Sequence, residues 1–240
     1  MKTLIPSTWA VPKRFRERVG ERVGRQRQMT EEGHLLLVLH EVPQAGEAER
    51  DGRLFWRDKK GEWKSAGQGS GVGALRQHLT QFEEAAERAE ERLRAASTAS
   101  EFFEVLKACT PLHRTSRNLL RTLQEAREAI DDRELINLRD RAGEVERAAE
   151  LLVSEARDAL DFTSAQQAEA QAKVSLELAR DGHKLNTIAA VFLPITALAS
   201  IFSMTLRSGL ESWASPWLFW LIVAGGVTLG WRMNARLRPG

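Results

Sequence analysis

Thr196, Ser200 and Ser203 stand at i, i+4 and i+7 in residues 185–206, a stretch with no Asp, Glu, Lys or Arg. On a helix this spacing puts three hydroxyls on one stripe. Leu185, Ala189 and Leu193 extend the same face toward the N-terminus. Hydroxyls on an apolar helix face protein or water rather than hydrocarbon. Two readings stay open on these residues alone. The stripe is a packing seam between helices, or it is a pore lining built by several copies of this helix. Pro194 lies mid-stretch and frees a backbone carbonyl, which finds another partner or lines a cavity.

Other residue patterns carry less chemistry. His34 and His40 lie six apart, so one strand faces both the same way. No Cys and no acidic pair at ligand spacing joins them, which argues against a metal site. Residues 66–73 (AGQGSGVG) hold Gly67, Gly69, Gly71 and Gly73 but lack the Gly-Lys-Ser/Thr ending of a phosphate loop. They read as a flexible joint before the first long helix. No nucleophile–base pair or metal-ligand cluster is visible, so neither catalysis nor a resident cofactor is expected.

The hydroxyl stripe needs an element to carry it. A second charge-free stretch, 212–231, follows the first, between Glu211 and Arg232. A bilayer core takes about 20 apolar helical residues, so two C-terminal transmembrane helices are expected. Gly226 and Gly230 in the second form a GxxxG pattern that permits close helix approach. Arg180, His183 and Lys184 precede the first stretch, and Arg232, Arg236 and Arg238 follow the second. The loop holds one Arg207 and one Glu211. Basic flanks stay on the cytoplasmic side, so both termini are expected in the cytoplasm. Trp213, Trp217 and Trp231 fall at the expected headgroup levels.

The chain has 240 residues and a net charge of +2, too small to argue for a nucleic-acid partner. Its one cysteine, Cys109, excludes an internal disulfide framework and suits a reducing compartment. The N-terminus lacks a continuous apolar h-region, so no cleavable signal peptide is expected and the first span serves for insertion. Residues 13–28 are Arg-rich with interspersed Glu17 and Glu21. They read as a solvated turn or short helix, with contact to anionic headgroups as the alternative.

The expected fold class is α+β, mainly α. Three regions are expected: a small β-containing cytoplasmic region (1–66), a long-helix stalk region (67–184) and a two-span hairpin with a basic tail (185–240). Residues 34–42, 53–57 and 61–64 read as short strands, with a hairpin turn at Asp58, Lys59, Lys60 and Gly61. Then Leu75, Leu79, Phe82, Ala86, Ala89, Leu93 and Ala96 repeat at 4-3 spacing, a heptad seam. Thr98 with Glu101 has the capping-box spacing and starts a second helix. Pro111 is expected to break or kink it. Leu112, Ser116, Leu119, Leu123, Ala126 and Ile130 continue the seam. Asp131 with Glu134 marks a third start, followed by Leu135, Leu138, Ala142, Val145, Ala149, Leu152, Ala156 and Ala159. This third helix has no clear stop before Leu206. Beyond Ala159 its seam turns polar and small at Thr163, Gln166, Gln167 and Ala170.

Residues 185–205 (LNTIAAVFLPITALASIFSMT) resemble the first membrane span of CorA-type divalent-cation transporters. The resemblance rests on the Phe-x-Pro-x-Thr core at Phe192, Pro194 and Thr196, and on the length to the following loop. The whole plan is also similar: a cytoplasmic α/β region, a very long stalk helix, two C-terminal spans and a basic tail. The resemblance implies a homopentamer in the inner or plasma membrane that conducts divalent cations, magnesium foremost. It places Leu185, Leu193 and Thr196 along the pore and Glu211 on the acidic position of the outer loop. It puts Ser203, Met204 and Thr205 at the outer mouth. There the family carries Tyr-Gly-Met-Asn, and this chain carries Phe202, Ser203, Met204 and Thr205. Only Met204 is kept, which implies altered selectivity. Residues 1–66 are also shorter than the family's usual α/β domain. These departures support the rival reading, a non-conducting membrane-anchored coiled-coil scaffold or sensor.

Overall fold

The computed structural model describes residues 4–44, 51–67, 69, 71–203 and 216–236. The elements are α1 (Lys13–Arg18), β1 (Arg27–Glu31), β2 (His34–His40), β3 (Gly52–Arg57), β4 (Trp63–Ser65), α2 (Gly71–Ala95), α3 (Ala99–Ala129), α4 (Arg133–Ser203) and α5 (Pro216–Arg236). The chain divides into two compact units, Met1–Ala165 and Gln166–Gly240. An α+β class, mainly α, with a small N-terminal antiparallel sheet, is what the first unit shows.

The sheet is a meander in the order β1-β2-β3-β4. Its middle strand explains the apolar run of the sequence. Leu35, Leu37 and Leu39 point to one face with Phe55, under the long helices. Leu36 and Val38 point to the other with Leu54 and Trp56, against Ile5, Trp9, Phe15 and Val19. Successive side chains alternate, so a strand covered on both faces must be apolar throughout. The Arg-rich N-terminal segment forms α1, which buries Phe15. Its Arg16 turns inward and donates to the carbonyls of Pro6 (3.1 Å) and Trp9 (2.7 Å).

The expected strands and turn are present. At the β3–β4 turn the Asp58 carboxylate accepts from the backbone N–H groups of Lys60 (2.8 Å) and Glu62 (2.9 Å). β1 is an addition to the sequence reading. It reaches β2 through Glu32 (φ 51°) and Gly33 (φ 78°), with Glu31 paired to His34. Two left-handed residues in a two-residue loop match the right-handed twist of the flanking strands. His34 and His40 do not converge. Six residues of strand separate them by about 20 Å. His34 stacks on Trp56 at 5.7 Å, and the His40 Nε2 lies 2.6 Å from the Gly24 carbonyl.

The three seams share one core. Leu75, Leu79 and Phe82 of α2, Leu112, Leu119 and Leu123 of α3, and Leu135, Leu138 and Val145 of α4 are buried together with one face of the sheet. α3 starts with the expected capping box, in which the Thr98 hydroxyl accepts from the Glu101 N–H and Glu101 reaches back to the Thr98 N–H. Two expectations are corrected. Pro111 does not break α3, which runs through it to Ala129. Cys109 and Leu112 are buried on either side of the proline, and that packing outweighs one missing N–H. The cap of α4 is Asp132 rather than Asp131. Its Oδ1 accepts from the Glu134 N–H at 2.9 Å, while its Oδ2 accepts from Arg57 Nε at 2.7 Å.

One carboxylate thus caps α4 and ties it to β3, with both side chains mostly buried. Asp132→Ala removes the cap, worth about 1 kcal/mol. It also strands the Arg57 guanidinium, and breaking a buried pair costs about 3–5 kcal/mol when complete. A loss of about 3 kcal/mol is expected in denaturant unfolding followed by circular dichroism. Arg57→Ala should cost a similar amount, with the double substitution well short of the sum. Additive losses would mean that the pair is not coupled.

Candidate ion pathway

The hydroxyl stripe lies on the C-terminal part of α4, within the second unit. At 3.6 residues per turn, positions 185, 189, 193, 196, 200 and 203 fall within an arc of about 80°. Leu185 and Leu193 are each about two-thirds exposed, at 67% and 66%. Thr196 and Ser200 are exposed as well. The structure therefore brings Leu185, Leu193, Thr196 and Ser200 onto one open face. Ser203 is the last residue of α4. Met204, Thr205 and Glu211 lie outside the described residues.

Thr196 has defined geometry. Its hydroxyl sits 3.0 Å from the carbonyls of both Phe192 and Leu193, to which it donates. A hydroxyl has one proton and two lone pairs. With the proton spent on its own helix, Thr196 presents acceptor oxygen outward. Acceptors of this kind suit the water protons of a hydrated cation. Pro194 is continuous with the helix and contributes no N–H.

The remainder of the second unit exposes large apolar groups. Ile188 and Phe192 of α4, and Trp217, Trp220, Leu221 and Trp231 of α5, are all more than half exposed. Gly226 of the GxxxG pair is buried, while Thr228 donates to the Gly225 carbonyl at 3.0 Å. Among the described residues no helix is long and apolar enough to cross a membrane. This departs from the expectation of two such helices. Leu206 and Ser212, the expected ends of the two stretches toward the loop, lie outside the described residues. Asn186, Thr187, Thr196 and Ser200 dilute the apolar part of α4, and Arg232 and Arg236 lie inside α5.

Several residues that tune the first unit are not marked by any motif. Arg141 of α4 grips Glu83 of α2 through two N–H groups, at 2.8 and 2.7 Å, and donates to Thr80 at 2.9 Å. The Glu83 contact raises the Arg141 pKa further. His78 is fully buried between Phe55 (5.6 Å) and Phe82 (5.3 Å). Burial holds its imidazole down to about 4, with the Arg53 charge acting the same way and a backbone contact to His40 opposing. It is a neutral core group at pH 7. Its spacing from Leu75 and Phe82, three and four residues, is the signal that marks it as core. Burial likewise pushes the Cys109 thiol up, against the pull of Arg92. Among the described residues no group of three or more His, Cys, Asp or Glu is placed to hold a metal ion.

No family model matches the chain, and no curated protein matches it. Solved structures do. The ZntB cytoplasmic domain from Vibrio parahaemolyticus RIMD 2210633 aligns with a TM-score of 0.55 at 11% identity, over 67% of this chain and 80% of that one. The full-length CmaX protein aligns with a TM-score of 0.51 at 14% identity, over 90% of this chain and 78% of that one. The CorA magnesium transporter from Methanocaldococcus jannaschii aligns over 91% of this chain and 81% of that one at 12% identity, with a TM-score of 0.45, too low to show a shared fold. At these identities the first two likenesses concern fold alone. The chain has the fold of the ZntB cytoplasmic domain and of CmaX.

Proposed function

We propose that the chain is a homo-oligomeric membrane channel or transporter for divalent cations on a CorA-like fold, with magnesium foremost. The observation that supports this best is the open face of α4. It sets the acceptor oxygen of Thr196 among exposed Leu185, Leu193 and Ser200, on a helix without acidic or basic residues from position 185 onward. A helix that faces water on one side and lipid on the others is less apolar than a lone spanning helix. The modest hydropathy of the described helices is compatible with that role. Exposed Trp217, Trp220 and Trp231 on α5 supply the lipid-facing and headgroup-facing surface.

In this reading Ser203, Met204 and Thr205 line the outer mouth, and Glu211 above them attracts cations. Magnesium sheds its waters reluctantly and enters hydrated. Thr205 offers a shorter reach to those waters than an asparagine carboxamide, so selectivity is weak or relaxed. The altered signature also favours a second reading, the non-conducting scaffold or sensor. Dye-reported magnesium entry into liposomes separates the two. Thr205→Asn with Ser203→Gly should raise entry severalfold. Glu211→Gln should lower it, most at low ionic strength, because the Debye length shortens to about 10 Å at 0.1 M salt. Absence of flux in all three proteins, with the folded oligomer confirmed, would select the scaffold.

In this reading both termini lie in the cytoplasm. Cys109 cannot report on this, because its thiol is fully buried and its ionisation suppressed. An Arg127→Cys substitution in a Cys109→Ala background puts the only thiol on an exposed position of α3. An impermeant thiol reagent should leave it unlabelled in intact cells and label it after lysis. Equal labelling in both would reverse the topology.

A further inference from the structure

Charge is segregated within the first unit. Residues 83–91 of α2 hold five Glu against Arg88 alone. Residues 105–124 of α3 hold Lys107, Arg114, Arg117 and Arg121, with no Asp or Glu. Five Glu against one Arg leave the first segment at −4, and the four basic residues put the second at +4, so the two segments compensate each other.

The acidic side is a groove of about 310 Å³ between α2 and α4. Ala86, Val145, Leu151 and Leu152 make its apolar lining, and Glu87, Glu90, Glu144 and Glu155 add carboxylates. Glu83 is already held by Arg141, and Glu90 by Arg94. Glu87 and Glu155 take part in none of the ion pairs found among the described residues, and Glu144 acts on Arg141 through its charge without a close ion pair. Leu151 is 56% exposed, and Phe162, eleven residues on and therefore on the same flank of α4, is 65% exposed. A groove with apolar walls, open leucine and phenylalanine, and carboxylates in excess asks for an amphipathic, basic occupant.

The basic side has that composition, with Lys107 paired to Glu104 and Arg121 to Glu125, so that Arg114 and Arg117 are the charges outside those pairs. Phe103, Lys107, Arg114, Arg117 and Arg121 fall within an arc of about 80° on the outer face of α3. Phe103 is itself 53% exposed. Arg117 and Arg121 continue into a second groove, of about 530 Å³, where α3 meets Arg139 of α4. Along α4, Glu144, Ala148, Leu151 and Glu155 lie on one flank of the buried seam and Arg139 and Glu146 on the other, roughly 60–120° to each side of Val145. The acidic groove and the basic ridge are thus on opposite flanks of the same unit. One such surface calls for nucleic acid, lipid or an unrelated acidic protein. Two complementary ones on opposite flanks call for a second copy.

We propose that the α2–α4 groove of one copy receives the α3 ridge of the next, head to tail. Leu151 and Phe162 pack near the neighbour's Phe103, and Glu87, Glu144 and Glu155 face its Arg114 and Arg117. Such a heterologous contact repeats from copy to copy and closes into a ring where the rotation between neighbours divides a full turn, the arrangement that a pore built from several α4 helices requires. The inference rests on the self-association in the proposed function and names the surface that produces it.

The test uses the full chain in mild detergent, with mass read by native mass spectrometry. The groove variant is Glu87→Arg with Glu155→Arg, and the ridge variant is Arg114→Glu with Arg117→Glu. The swapped chain carries all four substitutions. All four positions are exposed, so helical content by circular dichroism should be unchanged. Each single-sided variant should dissociate at a protein concentration at least about tenfold above that of the wild type, equivalent to about 1.4 kcal/mol. The swapped chain should reassemble. Wild-type mass in both single-sided variants, or a swapped chain that stays dispersed, overturns the proposal while leaving the oligomer intact as a reading. A monomeric wild type overturns both. Unchanged mass with loss of anionic-vesicle binding in the ridge variant alone would assign the ridge to lipid and overturn the head-to-tail contact.

Discussion

The seam of α4 between positions 135 and 156 packs against α2 and α3, and the geometry of the first unit depends on it. Leucine and valine at 135, 138, 145 and 152 alternate with alanine at 142, 149 and 156. The large groups fill the space between helices, and the small ones let the backbones approach. Burying one such leucine contributes about 1.5–3 kcal/mol. Two polar contacts then fix where the seam begins and how it is set against α2. Arg57 holds Asp132 at the first turn, and Arg141 holds Glu83 two turns later. Both contacts are charge-assisted and orient the helix by geometry more than by net energy.

Beyond Ala159 the same helix no longer has a core to serve, and its side chains are mostly open. The large exposed apolar residues then gather in the second unit, among them Leu178, Leu185, Phe192 and Trp220. Scattered exposed leucines need no explanation, but a sustained set of this size in a protein with a well-packed first unit implies covering by lipid or protein. Thr196 shows how such a helix tolerates hydroxyls. The proton is satisfied within the helix, and only lone pairs are left to face outward.

The helices were legible in the sequence because their seams repeat over many turns, and α3's start was legible because Thr98 and Glu101 hold the capping-box spacing. β2 was legible because both of its faces are covered. β1 was not, since Arg27, Gln28, Thr30 and Glu31 are polar and the strand is defined by its pairing to β2. The turn that joins them, Glu32 and Gly33, lacks the Asn or Asp that usually marks it. Arg57–Asp132 and Arg141–Glu83 are 75 and 58 residues apart in the chain, so no local pattern announces them. Of the two outcomes expected at Pro111, the break does not occur, because a local rule about a missing N–H ignores the packing around it. At the candidate pathway, spacing alone placed Leu185, Leu193, Thr196 and Ser200 on one face. The donation from Thr196 to its own helix needed coordinates.

Trp quenching by lipid is the most direct measurement of membrane embedding, on which the channel reading stands. Four of the seven tryptophans, Trp213, Trp217, Trp220 and Trp231, lie in the last 28 residues, while Trp9 and Trp56 are buried in the first unit. The full chain would be reconstituted in vesicles whose acyl chains carry a bromine or nitroxide quencher at stated depths. The expected result is strong quenching of the C-terminal tryptophans by quenchers near the headgroups, with Trp9 and Trp56 untouched. Emission that is indifferent to the lipid-borne quencher, with the protein confirmed on the vesicles, would contradict a membrane-embedded α4 and α5.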